Sequence, residues 1–229
     1  MSSTTNDPFV RLYQPSDKAN VSHVFRETAD ASVQAEPICT IGCHIWCLPY
    51  LTLSPSTCFV LDDGSGQAVG YCIGTPDTTD FAERWRDEYV PTIEQDLRKL
   101  PPSSDVDEGG KKKLQERQRE LCDGIYSNPR NLVYGEIEAP LKDYPGHLHI
   151  DILPSHQRRG YGKKLIEALL QSFKDAGCKG LYLGMVAANA DAARFYEREG
   201  FYRLPHVLDD GASGEKGRTS GTIYYVKDL

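Results

Sequence analysis

A short stretch in the second half of the chain carries the groups that could do chemistry. Leu148-His149-Ile150-Asp151-Ile152-Leu153-Pro154 reads as a strand and leads, through Ser155-His156, into Gln157-Arg158-Arg159-Gly160-Tyr161-Gly162. An amphipathic helix follows at once, with Leu165, Ile166, Leu169, Leu170 and Phe173 on one face. A strand, a tight loop with two glycines and a helix N-terminus together make an anion site. Unpaired backbone N–H groups converge there, and the helix dipole favours negative charge. The glycines let the backbone approach a ligand closely because they carry no Cβ. Arg158, Arg159, Lys163 and Lys164 add cationic charge at the same point, so a pyrophosphate fits. Two nucleotide motifs do not. A P-loop needs glycine where Gln157 stands and serine or threonine where Lys164 stands. The dinucleotide fingerprint needs a third glycine where the chain has Leu165.

His147, His149 and Asp151 alternate along the strand, which puts all three on one face of the sheet. Two imidazoles and a carboxylate would be costly on a dry face. They are therefore expected to line a wet cavity, where a neutral His149 or an ionised Asp151 accepts a proton, directly or through water. The alternative is a structural hydrogen-bond network of the same residues. The sequence does not choose between the two.

Gln157-Arg158-Arg159-Gly160-Tyr161-Gly162 resembles the Gln/Arg-x-x-Gly-x-Gly/Ala signature of the GNAT acetyltransferases, which in that family cradles the pyrophosphate of coenzyme A. Asn189-x-x-Ala192-x-x-Phe195-Tyr196, followed by Gly200-Phe201, resembles the same family's Asn-x-x-Ala-x-x-Leu-Tyr…Gly-Phe element. The likeness is tight over His147–Phe201 and diffuse over the N-terminal half. Tyr144-Pro145-Gly146-His147 running on to Pro154, with Leu183-Gly184-Met185-Val186, is also similar to the acetyltransferase-like domain of eukaryotic O-GlcNAcases and its free-standing bacterial and fungal relatives. In the large eukaryotic enzymes that domain is thought to be a pseudo-acetyltransferase with a degraded cofactor loop. Here the loop is intact.

The resemblance implies an α/β fold with a central mixed, mostly antiparallel sheet of about six to seven strands flanked by helices. It implies one GNAT domain over residues 1–229, with a helical insertion at about 76–125 on the acceptor side. The implied reaction transfers an acetyl group from acetyl-CoA to a primary amine, with direct attack in a ternary complex and coenzyme A as product. By resemblance, Tyr196 is the general acid near the sulfur; the strand face described above supplies Asp151 or His149 as the base. Backbone N–H groups of Ile150–Leu153 would serve the developing oxyanion and the pantetheine amides. The implied cofactor residues are Ile152, Leu153, Gln157, Arg158, Arg159, Gly160, Tyr161, Gly162, Lys163, Asn189, Ala192 and Phe195, with no metal. Asn189 can also cap its own helix. A module that binds coenzyme A without turnover, and an unrelated α/β scaffold with a coincidental loop, are the competing readings.

The elements that must position these groups follow from pattern. Phe9–Tyr13 reads as a strand, and Ser16 as the cap of a helix bearing Val21, Val24 and Phe25. Ile41–Leu51 reads as a helix that stops around Pro49. Cys58–Asp62 and Ala68–Ile73 make a hairpin about Asp63-Gly64-Ser65-Gly66. Asp80 and Glu83 read as a capping pair for a helix with Phe81, Trp85 and Tyr89 on one side; Pro91 restarts or kinks it, and Ile93, Leu97 and Leu100 continue the stripe. Pro101–Glu120 reads as a loop running into a solvated helix. The expected later elements are a strand Leu148–Leu153, a helix Gly160–Ala176, a strand Leu181–Val186 and a helix Ala190–Glu199. Two strands close the order, the last at Thr222–Val226 after a glycine-rich loop at Asp209–Gly221.

Composition sets outer bounds. The 229 residues are 39% hydrophobic and 26% charged, as in an ordinary globular domain. A net charge of −7 argues against a nucleic-acid partner. No apolar run approaches the roughly 20 residues that span a bilayer. Met1–Pro8 shows no secretory pattern, so the expected address is cytoplasmic or nuclear. Within Pro76–Glu108 ten acids stand against four bases, a rim that would draw a cationic amine if it lies at the acceptor entrance, or merely a solvated face. A homodimer is among the assemblies left open. Of seven cysteines, Cys39, Cys43 and Cys47 cluster around His44; packing as small apolar core residues is the expectation, over a zinc site.

Overall fold

The computed structural model describes residues 7–93, 97, 99, 100, 108–134, 141–208 and 222–229. Seven strands form one sheet: β1 (Phe9–Leu12), β2 (Phe59–Asp62), β3 (Ala68–Thr75), β4 (Gly146–Ile152), β5 (Gly180–Val186), β6 (Tyr202–Leu208) and β7 (Thr222–Asp228). Their order is β1-β2-β3-β4-β5-β7-β6, and every pairing is antiparallel except β4 with β5. This is the mixed, mostly antiparallel sheet that the sequence led us to expect.

Helices cover both faces. On one side lie α1 (Lys18–Thr28), α2 (Ile38–Trp46) and α3 (Leu48–Leu53), followed by α4 (Thr78–Arg84), α5 (Glu108–Ser127) and α6 (Pro129–Tyr134). Val21, Ile41, Ile45, Phe81 and Trp85 join Tyr71 and Ile73 of β3 in that core. On the other side lie α7 (Tyr161–Asp175) and α8 (Ala190–Arg198), where Leu165, Ile166, Leu169 and Phe173 pack on Leu61, Cys72 and Leu148. Strand β3 is buried from end to end because both of its faces are covered. Cys39, Cys43 and Cys47 are buried in the first core, packed there as small apolar residues.

Several element ends differ from the pattern-based expectation. Ser16 does not cap α1: it lies in a tight turn, Pro15–Asp17, and the helix starts at Lys18. Asp17 is drawn instead to Arg11, with bonds of 2.7 and 2.8 Å. The expected helix over Ile41–Leu51 is two helices broken at Cys47. Pro49 lacks an N–H and sits in the first turn of α3, where none is needed, so the chain restarts there rather than stopping. The cap of α4 is Asp77, which accepts from the N–H groups of Thr79 (2.9 Å) and Asp80 (3.0 Å), rather than Asp80 with Glu83. Past α4 the coil widens to a π-type turn over Trp85–Tyr89 and tightens again at Val90–Thr92. Pro91 is the cause, since it cannot donate to the carbonyl four residues back. Of the Pro101–Glu120 segment, residues 101–107 lie outside the described residues, as does the glycine-rich loop at 209–221.

Candidate active site

Strands β4 and β5 part. They pair only at Gly146 with Leu181 and at His147 with Tyr182, whereas β3 stays paired to β4 as far as Ile152 and β7 to β5 as far as Val186. Among the described residues, no ladder joins Leu148–Ile152 to Leu183–Val186. A wedge therefore opens in the middle of the sheet, with unpaired backbone groups along its sides.

The loop expected to hold an anion closes one end of the wedge. Gln157 anchors it by donating from Nε2 to the carbonyl of Ile152 (2.7 Å). Arg158 (φ 60°) and Gly160 (φ 81°) both adopt the left-handed conformation, which curls the chain into the start of α7. For Arg158 this is a strained choice, of the kind stored at ligand clamps. A Cβ on Gly160 would meet nothing within 4 Å, so the space over the helix N-terminus is open. Gly162 differs: its Cβ would come within 3.1 Å of the Phe195 ring, so here the missing side chain serves the packing of α7 on α8.

A cleft of about 660 Å³ runs along this side. Of the residues expected to hold a cofactor, Ile152, Gln157, Arg158, Gly160, Gly162, Lys163, Asn189, Ala192 and Phe195 line it; Leu153, Arg159 and Tyr161 do not. Ile150, in the strand stretch expected to serve the pantetheine amides, lines it too, as do Asp191, Arg198 and Glu199, which sequence reasoning missed. Asp191 forms an ion pair with Arg158 and another with Arg194, tying the loop to the first turn of α8. Asn189 caps α8 by accepting from the N–H of Ala192 (3.0 Å). Tyr196 is buried against the rings of Phe195, Phe201 and Tyr225 and lines the same cleft. Burial, and then the charge of Asp151, push its phenol well above the usual range.

A second cavity of about 230 Å³ lies on the α1–α3 side of the sheet. His147, His149 and Asp151 all line it, as their alternation implied. Tyr50, Trp46, Tyr182 and Tyr224 give it aromatic walls, and Asp30 is its other carboxylate. Among its described lining residues there is no lysine or arginine. Asp151 alone lines both this cavity and the cleft. Burial raises its carboxyl to a pKa of about 6, opposed by a 2.5 Å hydrogen bond from the Tyr71 hydroxyl. His149 is held down to about 4 by burial, and its Nε2 lies 3.1 Å from the Tyr50 hydroxyl. His147 has both ring nitrogens engaged, with Tyr50 at 2.6 Å and Thr78 at 2.7 Å. It is a structural member of the network. Tyr50, Tyr71 and Thr78 lie far from the β4 histidines in sequence, and no local signal pointed to them.

Among the described acids of the 76–108 segment the arrangement is that of a solvated face. Asp80 and Glu88 pair with Arg84, Asp87 pairs with Arg86, and none of the described ones lines either cavity. Glu94, Asp96, Asp105 and Asp107 lie outside the described residues.

Residues 116–201 match the model of the acetyltransferase (GNAT) family, and the chain has the mixed α/β fold of solved acetyltransferases of that kind. The crystal structure of SsHAT is 29% identical, with a TM-score of 0.69, over 97% of this chain and 98% of that one. The Protein O-GlcNAcase of Rattus norvegicus is 26% identical over 201 residues, which are 85% of this chain. The chain spans only about a fifth of that relative's length, the matched share being 20%. The putative acetyltransferase yncA of Salmonella typhimurium, solved with its cofactor acetyl-CoA, shares the fold at 13% identity and a TM-score of 0.56, over 98% of this chain and 95% of that one.

Proposed function

We propose that the chain is an acetyl-CoA-dependent N-acetyltransferase that acetylates a primary amine by direct attack in a ternary complex. One observation carries the reading: a cleft over an anion-binding helix N-terminus and a separate aromatic cavity meet at a single titratable residue, Asp151. The cleft fits acetyl-CoA in shape and donor set. The open space over Gly160, the first-turn N–H groups of α7, Lys163 and Arg158 suit a pyrophosphate. The unpaired side of β4 suits the amides of a pantetheine arm. Acetyl-CoA supplies the activated acetyl thioester. The chain supplies a proton acceptor and a proton donor on either side of the wedge. With a pKa of about 6, Asp151 is mostly ionised at pH 7 and takes the proton of an incoming ammonium. Tyr196, kept protonated by burial, is the donor on the cofactor side.

The acceptor is a cationic amine without an anionic group, because the cavity offers Asp30, Asp151 and aromatic rings and no basic side chain among its described lining. Coenzyme A release measured over an amine panel that includes histone peptides and glucosamine tests the assignment. Release with at least one amine is expected. Acetyl-CoA binding without release from any amine would make the chain a binding module.

A further inference from the structure

Two histidines two residues apart on β4 are bridged by one hydroxyl, and the chain of bonds they belong to ends on a group that can only accept. The Thr78 hydroxyl lies 2.7 Å from the carbonyl of Pro145 and 2.7 Å from Nδ1 of His147. A carbonyl has no proton, so the hydroxyl proton of Thr78 occupies the first contact. The second contact then needs the proton of His147 Nδ1. A neutral His147 carrying its proton on Nδ1 has a bare Nε2, which accepts from the Tyr50 hydroxyl at 2.6 Å. The oxygen of Tyr50 has given away its only proton, so its contact with His149 Nε2 at 3.1 Å requires the proton of that nitrogen. The Tyr50 ring is stacked on Phe81 at 4.7 Å, which fixes the hydroxyl between the imidazoles.

We infer that Thr78, His147 and Tyr50 form a one-way hydrogen-bond chain that fixes His149 in its Nε2–H tautomer and so presents Nδ1 as an unprotonated acceptor to the aromatic cavity. The inference rests on the reading of that cavity as the acceptor site. Nδ1 of His149 has no protein partner among the described residues and is not among the sealed, unpartnered nitrogens. His149 lines the cavity beside Asp151. An amine there meets two acceptors with different tasks: Asp151 takes a proton, while His149 Nδ1 holds a second N–H and aims the lone pair left behind. His149 touches the substrate, and Tyr50 and Thr78 are positioning residues that act through it. The opposite tautomer would offer the amine a donor and repel it.

The test is the proton's place on each ring, read by long-range ¹H–¹⁵N correlation on histidine-labelled protein without any ligand. His147→Gln and His149→Gln assign the two rings. At pH 7 the chain predicts two neutral rings of opposite tautomer, Nδ1–H for His147 and Nε2–H for His149. Tyr50→Phe, or Thr78→Val if the first variant melts early, should convert His149 to a mixture of tautomers. The same variants should raise KM for an accepted amine about 5- to 10-fold, one hydrogen bond's share, with acetyl-CoA affinity unchanged. A wild-type His149 that is charged or protonated on Nδ1 overturns the inference, as does an unaltered His149 pattern in a folded Tyr50→Phe. Because the tautomers are read without substrate, a failure of the acetyltransferase assignment would appear separately, as no release from any amine.

Discussion

Tyr71 of β3 and Asp151 of β4 stand opposite each other in register, and the phenol donates a 2.5 Å hydrogen bond to the carboxylate. The bond holds a buried charge that desolvation would otherwise neutralise. Asp151 is thus poised between two protonation states near neutrality, and its titration is open to measurement.

Asp151→Asn should lose activity and gain stability. The folded state lifts this carboxyl from 3.8 to about 6, so it holds the proton more tightly than the unfolded chain does. Stability therefore falls as pH rises from about 4 to about 6 and stays lowered above that. Asparagine removes this penalty, so the variant should be more stable by about 1–3 kcal/mol at pH 7 and no more stable at pH 4. In the wild type, kcat/KM should fall below a limb near pH 6, and the residual activity of the variant should lack that limb. Calorimetry at the two pH values and a pH–rate profile check both halves.

Tyr196→Phe should keep acetyl-CoA binding and lower kcat by about 10- to 1,000-fold, as the loss of an acid does. The ring stays packed against Phe195 and Phe201, so the melting temperature should change little. Wild-type turnover would return Tyr196 to a purely structural place in the core.

Acetyl-CoA should raise the melting temperature, because it binds only the folded state. Gly160→Val should abolish that rise. The side chain would enter the open space over the α7 N-terminus, and the left-handed backbone adds about 1–3 kcal/mol of strain. Isothermal titration separates the two effects: weakened folding with intact affinity would move the pyrophosphate elsewhere.

Asp87→Asn combined with Glu88→Gln should leave KM for a cationic amine and its salt dependence unchanged, since both acids pair with neighbouring arginines away from the cavity. Asp30→Asn, inside the cavity lining, should raise that KM. Steady-state kinetics at two ionic strengths distinguishes the two carboxylate sets.

The cleft and the loop at its end were legible in the sequence because their parts are contiguous. A strand, a glycine loop and a helix N-terminus follow one another, and Asn189 announces the next helix three residues before the N–H it caps. The shared face of His147, His149 and Asp151 follows from a period of two. What the sequence hid is long-range. Tyr50 lies 97 residues from His147 and Tyr71 lies 80 from Asp151, and only the folded sheet brings them together. The choice between an acidic rim and a solvated face was hidden for a related reason: a run of charge says nothing of which way a helix is turned, and Asp80, Asp87 and Glu88 among the described acids pair with Arg84 and Arg86 in the same run.

A sheet that parts in its middle has two more margins than its strand order suggests. Strand margins are normally blunted at the rim, and β1 is only four residues long. Here the exposed margins face inward, toward each other, with α7 and α8 on one side to bar another protein's strand from reaching them. A slender ligand rich in amide groups, such as the pantetheine arm proposed above, has the donors and acceptors to pair with them. On the function proposed above, the opening in the sheet is a filter as well as a seat, closed to the broad partners that bare strands invite and open to a single extended arm.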